Sequence, residues 1–417
     1  MIPRNSSADP IVIPVPGSKS LTIRALAAAA LAEGESTLSR GLDSDDTRAA
    51  IGALRSVGAG IDNSSDTWTV DGVGGRPREA QSPIDLGESG LTARIMIAIS
   101  ALIDGKTVLV GQGRLPSRPM SGIIDAVTQL GAAVLSDRDE FPIVVEGRGQ
   151  IRGGEVVVDA SQSTQFATGV SLIAPFASDP LTIRLEALRG SAGYLEMTLQ
   201  VLRIFGGQVE NTRRGFTVEN GGLRGATILI EPDASAAVYP MVAAAITGRR
   251  ITVPDLPADS LQPDLAVAGF LEEMGCTVDM HATSTTVQGP GDRLEPLDAD
   301  LSDSPDGALA LAVACLVASG TSRLHGLHSL RYKESDRLAA LAAEITRIGG
   351  EAEIDGDQLI ITPREIVPTT IRTYGDHRMA MSFGLLRLIA RDIDIENPAV
   401  VSKTWPGYWG MLDRLDN

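Results

Sequence analysis

Cysteine is almost absent from this chain. Cys276 and Cys315 are the only two in 417 residues, and both stand among apolar neighbours. Such a pair does not lead one to expect a disulfide framework or a zinc site, and a reducing compartment fits. Aromatic residues are also scarce, at 4%, while hydrophobic residues reach 43%. An ordinary α/β or α+β globular protein has this make-up; a fibrous or disordered chain does not. No basic segment followed by an apolar core opens the sequence, and no apolar run is long enough to span a bilayer. The expected address is the cytoplasm. Positive charge is in deficit, with 36 Lys and Arg against 53 Asp and Glu, for a net charge of −17. That balance argues against a nucleic-acid or anionic-membrane partner. An anionic ligand therefore has to be held by cations gathered locally.

What the chain does have is a recurring helix start. Pro14-Val15-Pro16-Gly17-Ser18-Lys19-Ser20 ends an extended segment, and Ser18 suits the N-cap of a helix running on through Ala25–Leu31. A helix start exposes unpaired backbone N–H groups and partial positive charge. Lys19 and Arg24 placed there suit a phosphate or carboxylate; taken alone, the stretch also fits an ordinary capped helix with solvated cations. Similar starts recur at 18, 89, 163, 233, 306 and 376, separated by 71, 74, 70, 73 and 70 residues. Helix-ending glycines at Gly58, Gly131, Gly206, Gly275 and Gly349 keep the same period. A third landmark, read as the start of each unit's second helix, falls near Asp46, Arg118, Ser191, Gln262, Lys333 and Lys403.

Three landmarks with one period make internal repetition the strongest organisational signal in the sequence. Each unit reads as helix, strand, helix, strand, strand. Three units of about 70 residues make a domain of ordinary size, so six predict two similar domains. The boundary is expected near Ile230–Asp233. The strand before Pro14 is expected to join the distant C-terminal half. The predicted division is residues 15–231 against 1–14 plus 232–417, with a hinge at 14–17 and 230–233.

At this point the residues resemble a known family. Pro-Gly-Ser-Lys-Ser-x-x-x-Arg at 16–24, Leu-Asp-Ser-Asp-Asp-Thr at 42–47, Arg-Pro at 118–119 and Ser-x-Ser-Thr-Gln-Phe at 161–166 come first. Glu-Pro-Asp-Ala-Ser at 231–235, Lys-Glu-Ser-Asp-Arg-Leu at 333–338, Asp-His-Arg-Met-Ala-Met at 376–381 and Ser-Lys-Thr-Trp-Pro-Gly-Tyr at 402–408 follow. In this order they resemble the 5-enolpyruvylshikimate-3-phosphate synthases, of the enolpyruvyl transferase superfamily, over essentially the whole chain. The resemblance implies an α/β (α+β) fold of two domains, each of three βαβαββ units in an inverse α/β barrel-like arrangement, with the active site in the interdomain cleft. It implies transfer of the enolpyruvyl group of phosphoenolpyruvate (PEP) to the 5-hydroxyl of shikimate 3-phosphate. Phosphate is released, without metal or organic cofactor, by an enzyme expected to be a monomer.

Both substrates are phosphorylated carboxylates. A unit charge pair at about 4 Å is worth roughly 4 kcal/mol at an effective dielectric near 20, against about 1 in water, so cations matter most in a dry site. The resemblance places Lys19 on both substrates, with Ser20 and Arg24 on shikimate 3-phosphate. It adds Ser163, Thr164, Gln165, Ser191 and Tyr194 for the same ligand, together with Asp306, Ser329 and Lys333. PEP is expected on Gly90, Arg118, Gln165, Arg337, Arg378 and Lys403, besides Lys19. The chemistry needs a proton delivered to the PEP methylene carbon and one removed from the hydroxyl, which suits two carboxylates in different environments. Asp306 is assigned as base and Glu334 as acid, with Lys333 assisting at the hydroxyl and Lys19 at the departing phosphate.

Taken singly, these motifs have plainer readings. Ser163-Thr164-Gln165 and Asp376-His377-Arg378 fit ordinary helix caps, Arg118-Pro119 a solvated turn, and Lys333–Arg337 an exposed helix with charge pairs. Asp233-Ala234-Ser235 reads as a cap and hinge element. The sequence also departs from the family pattern. Gly87-Glu88-Ser89-Gly90-Leu91 stands where members usually have Gly-Asn-Ala/Ser-Gly-Thr, and Ser329 stands where many have asparagine. These changes bear on affinity and on glyphosate, which occupies the PEP site in this family. One rival is the sister transferase acting on UDP-N-acetylglucosamine, which has Lys-Asn in its first motif and a loop cysteine or aspartate. Here the pair is Lys19-Ser20, and residues 111–118 contain neither. The other rival is a silent anion-binding repeat protein.

Overall fold

Helices buried on nearly every side lie at the centre of each half of the chain, because a helix apolar on every side has to be surrounded. The computed structural model describes residues 9–136 and 140–416, so residues 1–8 of the segment assigned to the C-terminal half lie outside the described residues. The chain divides into two compact units, Gly17–Ile230 and Met1–Pro16 with Glu231–Asn417.

In Gly17–Ile230 the inner helices are Lys19–Leu31, Gly90–Ser100 and Gln165–Ile173, each buried along nearly its whole length. Small side chains such as the run Ala27–Ala30 let neighbouring backbones approach closely. Outer helices Asp45–Ser56, Ser121–Gln129 and Ala192–Ile204 bury one face each. Three four-stranded sheets cover the helices. The strand Thr67–Asp71 shows the underlying pattern, with Trp68 and Val70 buried and Thr67 and Asp71 exposed, the alternation of a half-buried strand. On the opposite face of these sheets, threonines pair across strands, as in Thr37–Thr227 at 2.9 Å and Thr182–Thr217 at 2.9 Å.

The second unit repeats the plan. Inner helices Ala234–Thr247, Ala308–Cys315 and His377–Gly384 are surrounded by outer helices Val267–Glu273, Arg337–Arg347 and Tyr408–Asp416. Each four-stranded sheet has one parallel pair followed by two antiparallel ones. The first strand of each unit's first sheet is borrowed from far along the chain. Ile11 and Val12 pair in parallel with Ile251 and Thr252. Thr227–Leu229 fills the matching place beside Thr37–Ser39.

The structure departs from six equal units. Among the described residues five sheets have four strands, but Thr369–Ile371 pairs only with Ile393–Ile395. After that pair the chain passes through a 3-10 turn, Pro398–Lys403, into Tyr408–Asp416, where the described residues end. The third landmark also shifts. Arg118, Gln262, Lys333 and Lys403 precede the outer helices rather than starting them: 3-10 turns at Leu115–Ser117, His328–Tyr332 and Pro398–Lys403 lead up to three of them, and Pro263–Ala266 separates Gln262 from its helix. The glycines at 58, 131, 206, 275 and 349 all take the left-handed conformation expected after a helix end.

Candidate active site

The predicted residues fall into two clusters, one in each unit, at the N-terminal ends of inner helices and on the lead-ins to outer ones. In Gly17–Ile230, Ser18 caps the first inner helix by accepting from the Leu21 amide. Thr22 ties the following turn to the same helix, donating to Ser18 O at 2.7 Å and accepting from Leu42 N at 3.2 Å. That turn leads to Asp46, whose carboxylate lies 3.2 Å from Lys19 Nζ. Arg24, one turn further on, is 1% exposed. Its guanidinium donates to Thr198 Oγ1 at 2.8 Å, Ser20 O at 3.0 Å, Tyr194 O at 3.1 Å and Thr168 Oγ1 at 3.4 Å. All four acceptors are neutral. Burial lowers its pKa to about 10, with only the Tyr194 phenol working the other way.

The same unit brings Gly90, Arg94, Arg118 and Gln165 together. A side chain at Gly90 would put its Cβ 2.4 Å from Arg94 Nη1 and 2.5 Å from Arg118 Cζ, so the absence of a Cβ lets two guanidiniums lie over this helix start. Arg94 donates to Gly90 O at 2.9 Å, Gln165 Oε1 at 3.2 Å and Pro119 O at 2.7 Å. It thereby orients the predicted ligand Gln165 and the turn that follows Arg118. Its guanidinium also lies over the Phe166 ring, 5.6 Å from the centroid. Ser163 Oγ accepts from the Gln165 amide at 3.2 Å, and Thr164 stands at the N-cap position of the helix. Ser191 adopts φ +60° before the helix carrying Tyr194. Glu88 lies against the Arg118 loop, so close to Gly113 that a Cβ there would clash with its carboxylate.

In the other unit the centre is Asp306. Its Oδ1 lies 3.1 Å from Lys333 Nζ and 2.9 Å from Arg337 Nη1, and its Oδ2 lies 3.0 Å from Arg378 Nη2. Burial opposes the charged form, but the fields of Arg378, Lys333 and Arg337 outweigh it and hold the carboxyl well below the usual range; Glu334 pulls the other way. Burial lowers the Lys333 ammonium, partly offset by Asp306. Arg337, 1% exposed, meets three carboxylates: Asp376 at 2.7 Å, Glu334 at 2.8 Å and Asp306 at 2.9 Å. Despite its burial, those three raise its pKa above the ordinary arginine value. Asp376 also accepts from Ser335 Oγ at 3.0 Å and the Arg378 amide at 2.9 Å. Lys403 is buried at the end of its 3-10 turn. Ser329 Oγ is buried without a hydrogen-bond partner.

The plain reading of Lys333–Arg337 as an exposed helix is replaced. The helix starts at Arg337 behind an Asp336 cap, and Lys333 and Glu334 lie on its lead-in. Several contributors carried no assigned role in the sequence reading. Asp46 and Asp376 stood inside quoted motifs, and Arg94 follows the Gly90 turn by four residues. The buried Tyr239 hydroxyl had no motif to mark it. It lies near Arg378 with no partner of ordinary hydrogen-bond geometry, and burial pushes its phenol up to about 12 against the field of Arg378. Among the described residues no group of His, Cys, Asp and Glu could hold a metal ion, and no helix is long and apolar enough to cross a membrane.

Buried cations beside carboxylates, set at helix starts in an α/β scaffold, define a protein that binds small polyanions and can move protons on them. The comparisons with known proteins narrow that class. The EPSP synthase (3-phosphoshikimate 1-carboxyvinyltransferase) family model matches residues 10–412. The chain is 37% identical over 413 residues to a 3-phosphoshikimate 1-carboxyvinyltransferase of Escherichia coli O6:H1, covering 97% of this chain and 96% of the relative. The enzyme of the same name from Serratia proteamaculans is 36% identical over 411 residues, 96% and 95% of the two chains. An EPSP synthase structure from Acinetobacter baumannii shares the fold, with TM-score 0.81 and 24% identity over 97% of this chain and 95% of that one. The chain belongs to the EPSP synthase family.

Proposed function

We propose that this protein transfers the enolpyruvyl group of PEP to the 5-hydroxyl of shikimate 3-phosphate and releases phosphate. The step lies on the shikimate pathway to chorismate and the aromatic amino acids. The observation that carries the reading is the Asp306 carboxylate bracketed by Lys333, Arg337 and Arg378, with Glu334 on the same arginine. Such a group couples a proton acceptor to cations that a phosphate and a carboxylate can take over.

In this reading Lys19, Ser20, Arg24, Ser163, Thr164, Gln165, Ser191, Tyr194, Asp306, Ser329 and Lys333 hold shikimate 3-phosphate. PEP is held by Lys19, Gly90, Arg118, Gln165, Arg337, Arg378 and Lys403. Glu334 protonates the PEP methylene carbon, and the 5-hydroxyl oxygen bonds to the adjacent carbon as Asp306 takes its proton. The tetrahedral adduct then expels phosphate beside Lys19 and loses a methyl proton, restoring the double bond. Three cations make Asp306 a weak base while they face it alone. When the PEP anion draws Arg337 and Arg378 toward itself, their hold on Asp306 weakens and its basicity rises. The reading has the enzyme act as a cytoplasmic monomer.

The test is phosphate release from PEP with shikimate 3-phosphate, with UDP-N-acetylglucosamine and with neither. Release only with shikimate 3-phosphate is expected. Release with the sugar nucleotide, or none with either acceptor, overturns the reading.

A further inference from the structure

The proposed base sits on a turn whose own support comes from another repeat. Asp264 lies in the 3-10 turn Pro263–Ala266 and is 1% exposed. Its Oδ1 accepts from Ser304 Oγ at 2.7 Å and from the Gly307 amide at 3.2 Å, so the two residues it grips bracket Asp306. Its Oδ2 accepts from the hydroxyl of Ser235, in the first turn of Ala234–Thr247. The carbonyl of that same Ser235 accepts from Arg378 Nη1 at 3.5 Å. Arg378 closes the circuit on Asp306 Oδ2 at 3.0 Å.

The turn has little room to move. A Cβ on Gly307 would stand 2.5 Å from Val267 Cγ2, on the helix that follows Asp264. Gln262, two residues before Asp264, fixes the other side of the start of Ala234–Thr247. Its Oε1 accepts from Ala234 N at 3.0 Å, and its Nε2 donates to Pro232 O at 2.8 Å.

We propose that Asp264 is a positioning residue for the reaction: one buried carboxylate sets both the turn that aims Asp306 and the helix start that braces Arg378. A proton acceptor works only within hydrogen-bond reach of its proton, and a displacement of about 1 Å by a change far from the chemistry can cost on the order of 100-fold. An acceptor with two oxygens is needed to serve three donors on two elements. Asparagine meets most of that need. Its oxygen serves Ser304 and Gly307, and its amide donates to the Ser235 hydroxyl, which can accept.

The inference rests on the proposed reaction, and one assay series separates the two. Purified full-length wild type, Asp264→Ala, Asp264→Asn and Ser304→Ala are compared for kcat and for KM of PEP, with shikimate 3-phosphate binding and denaturant unfolding measured alongside. Asp264→Ala is expected to lower kcat about 100-fold and to raise the PEP KM through Arg378, with Asp264→Asn recovering most of both. Ser304→Ala, which removes one of the two grips on the Asp306 turn, is expected to lower kcat by a smaller factor without moving the PEP KM. If Asp264→Ala does not fold, Asp264→Asn and Ser304→Ala decide: wild-type kcat in Ser304→Ala overturns the inference. So does a folded Asp264→Ala that loses stability but keeps wild-type kcat and KM, or an Asp264→Asn as impaired as the alanine variant. Wild type inactive with shikimate 3-phosphate overturns the proposed reaction instead.

Discussion

Arg24 and Arg337 are equally buried, each 1% exposed, but they keep opposite electrostatic company. Arg337 meets three carboxylates, so its charge is neutralised within its own unit. Arg24 meets a threonine pair and two backbone carbonyls, and among the described residues no carboxylate pairs with it. A buried charge without a counter-charge costs free energy until one arrives. The difference separates two uses of the same side chain. In the proposed reading Arg24 is a socket whose counter-ion is the ligand, whereas Arg337 is the hub of a pre-neutralised network that a ligand has to enter by exchange.

The sharpest way to break the comparison is at the carboxylates. Asp306→Asn and Glu334→Gln are each expected to lower steady-state turnover by about 10²–10⁴-fold while shikimate 3-phosphate still binds. Near-normal turnover in either variant removes that residue from its role. Arg337→Met comes next. It removes the cation that Asp376, Glu334 and Asp306 share, and breaking a buried pair costs about 3–5 kcal/mol, readable as a lower midpoint in denaturant unfolding. The corresponding change at Arg24 leaves no carboxylate stranded, so its loss of stability is expected to be smaller.

Gly90→Ala probes the other cation pair. The added methyl displaces Arg118 and Arg94 from the helix start, so the PEP KM is expected to rise by roughly 10-fold, with shikimate 3-phosphate binding, touched only through Gln165, weakened less. Steady-state kinetics at saturating shikimate 3-phosphate reads this directly. The smallest effect is acid stability. The native pKa of Asp306 lies below its ordinary value of 3.8, so its pairing contributes in full above that value and is lost as the pH falls through the native one. Unfolding midpoints of wild type and Asp306→Asn are therefore expected to converge in acid.

Much of this was legible in the sequence because it is local. Small-residue apolar stretches, Ser or Asp caps and helix-ending glycines each act within a few residues, and their common period exposed the inner helices. The inner helix starts at Lys19, Gly90, Gln165, Ala234, Ala308 and His377 lie within two residues of the landmarks at 18, 89, 163, 233, 306 and 376. Partnerships made across the chain left no such trace. Arg337 and Asp376 are 39 residues apart, and Asp264 and Gly307 are 43 apart. Read locally, Lys333–Arg337 had the charge spacing of an exposed helix; only packing shows that its arginine is buried. The six-unit reading did not register the shortened sixth sheet, although the helix-ending glycine landmark occurs five times against six helix starts.

The contrast between socket and hub is tested most directly by calorimetric titration of shikimate 3-phosphate, without PEP, into wild type and Arg24→Met. Hydrogen bonds to a charged group are worth about 1.5–3 kcal/mol, so the variant should bind roughly 10–100-fold more weakly while staying folded. Equal affinity in the two proteins would show that the counter-ion of Arg24 is not this ligand.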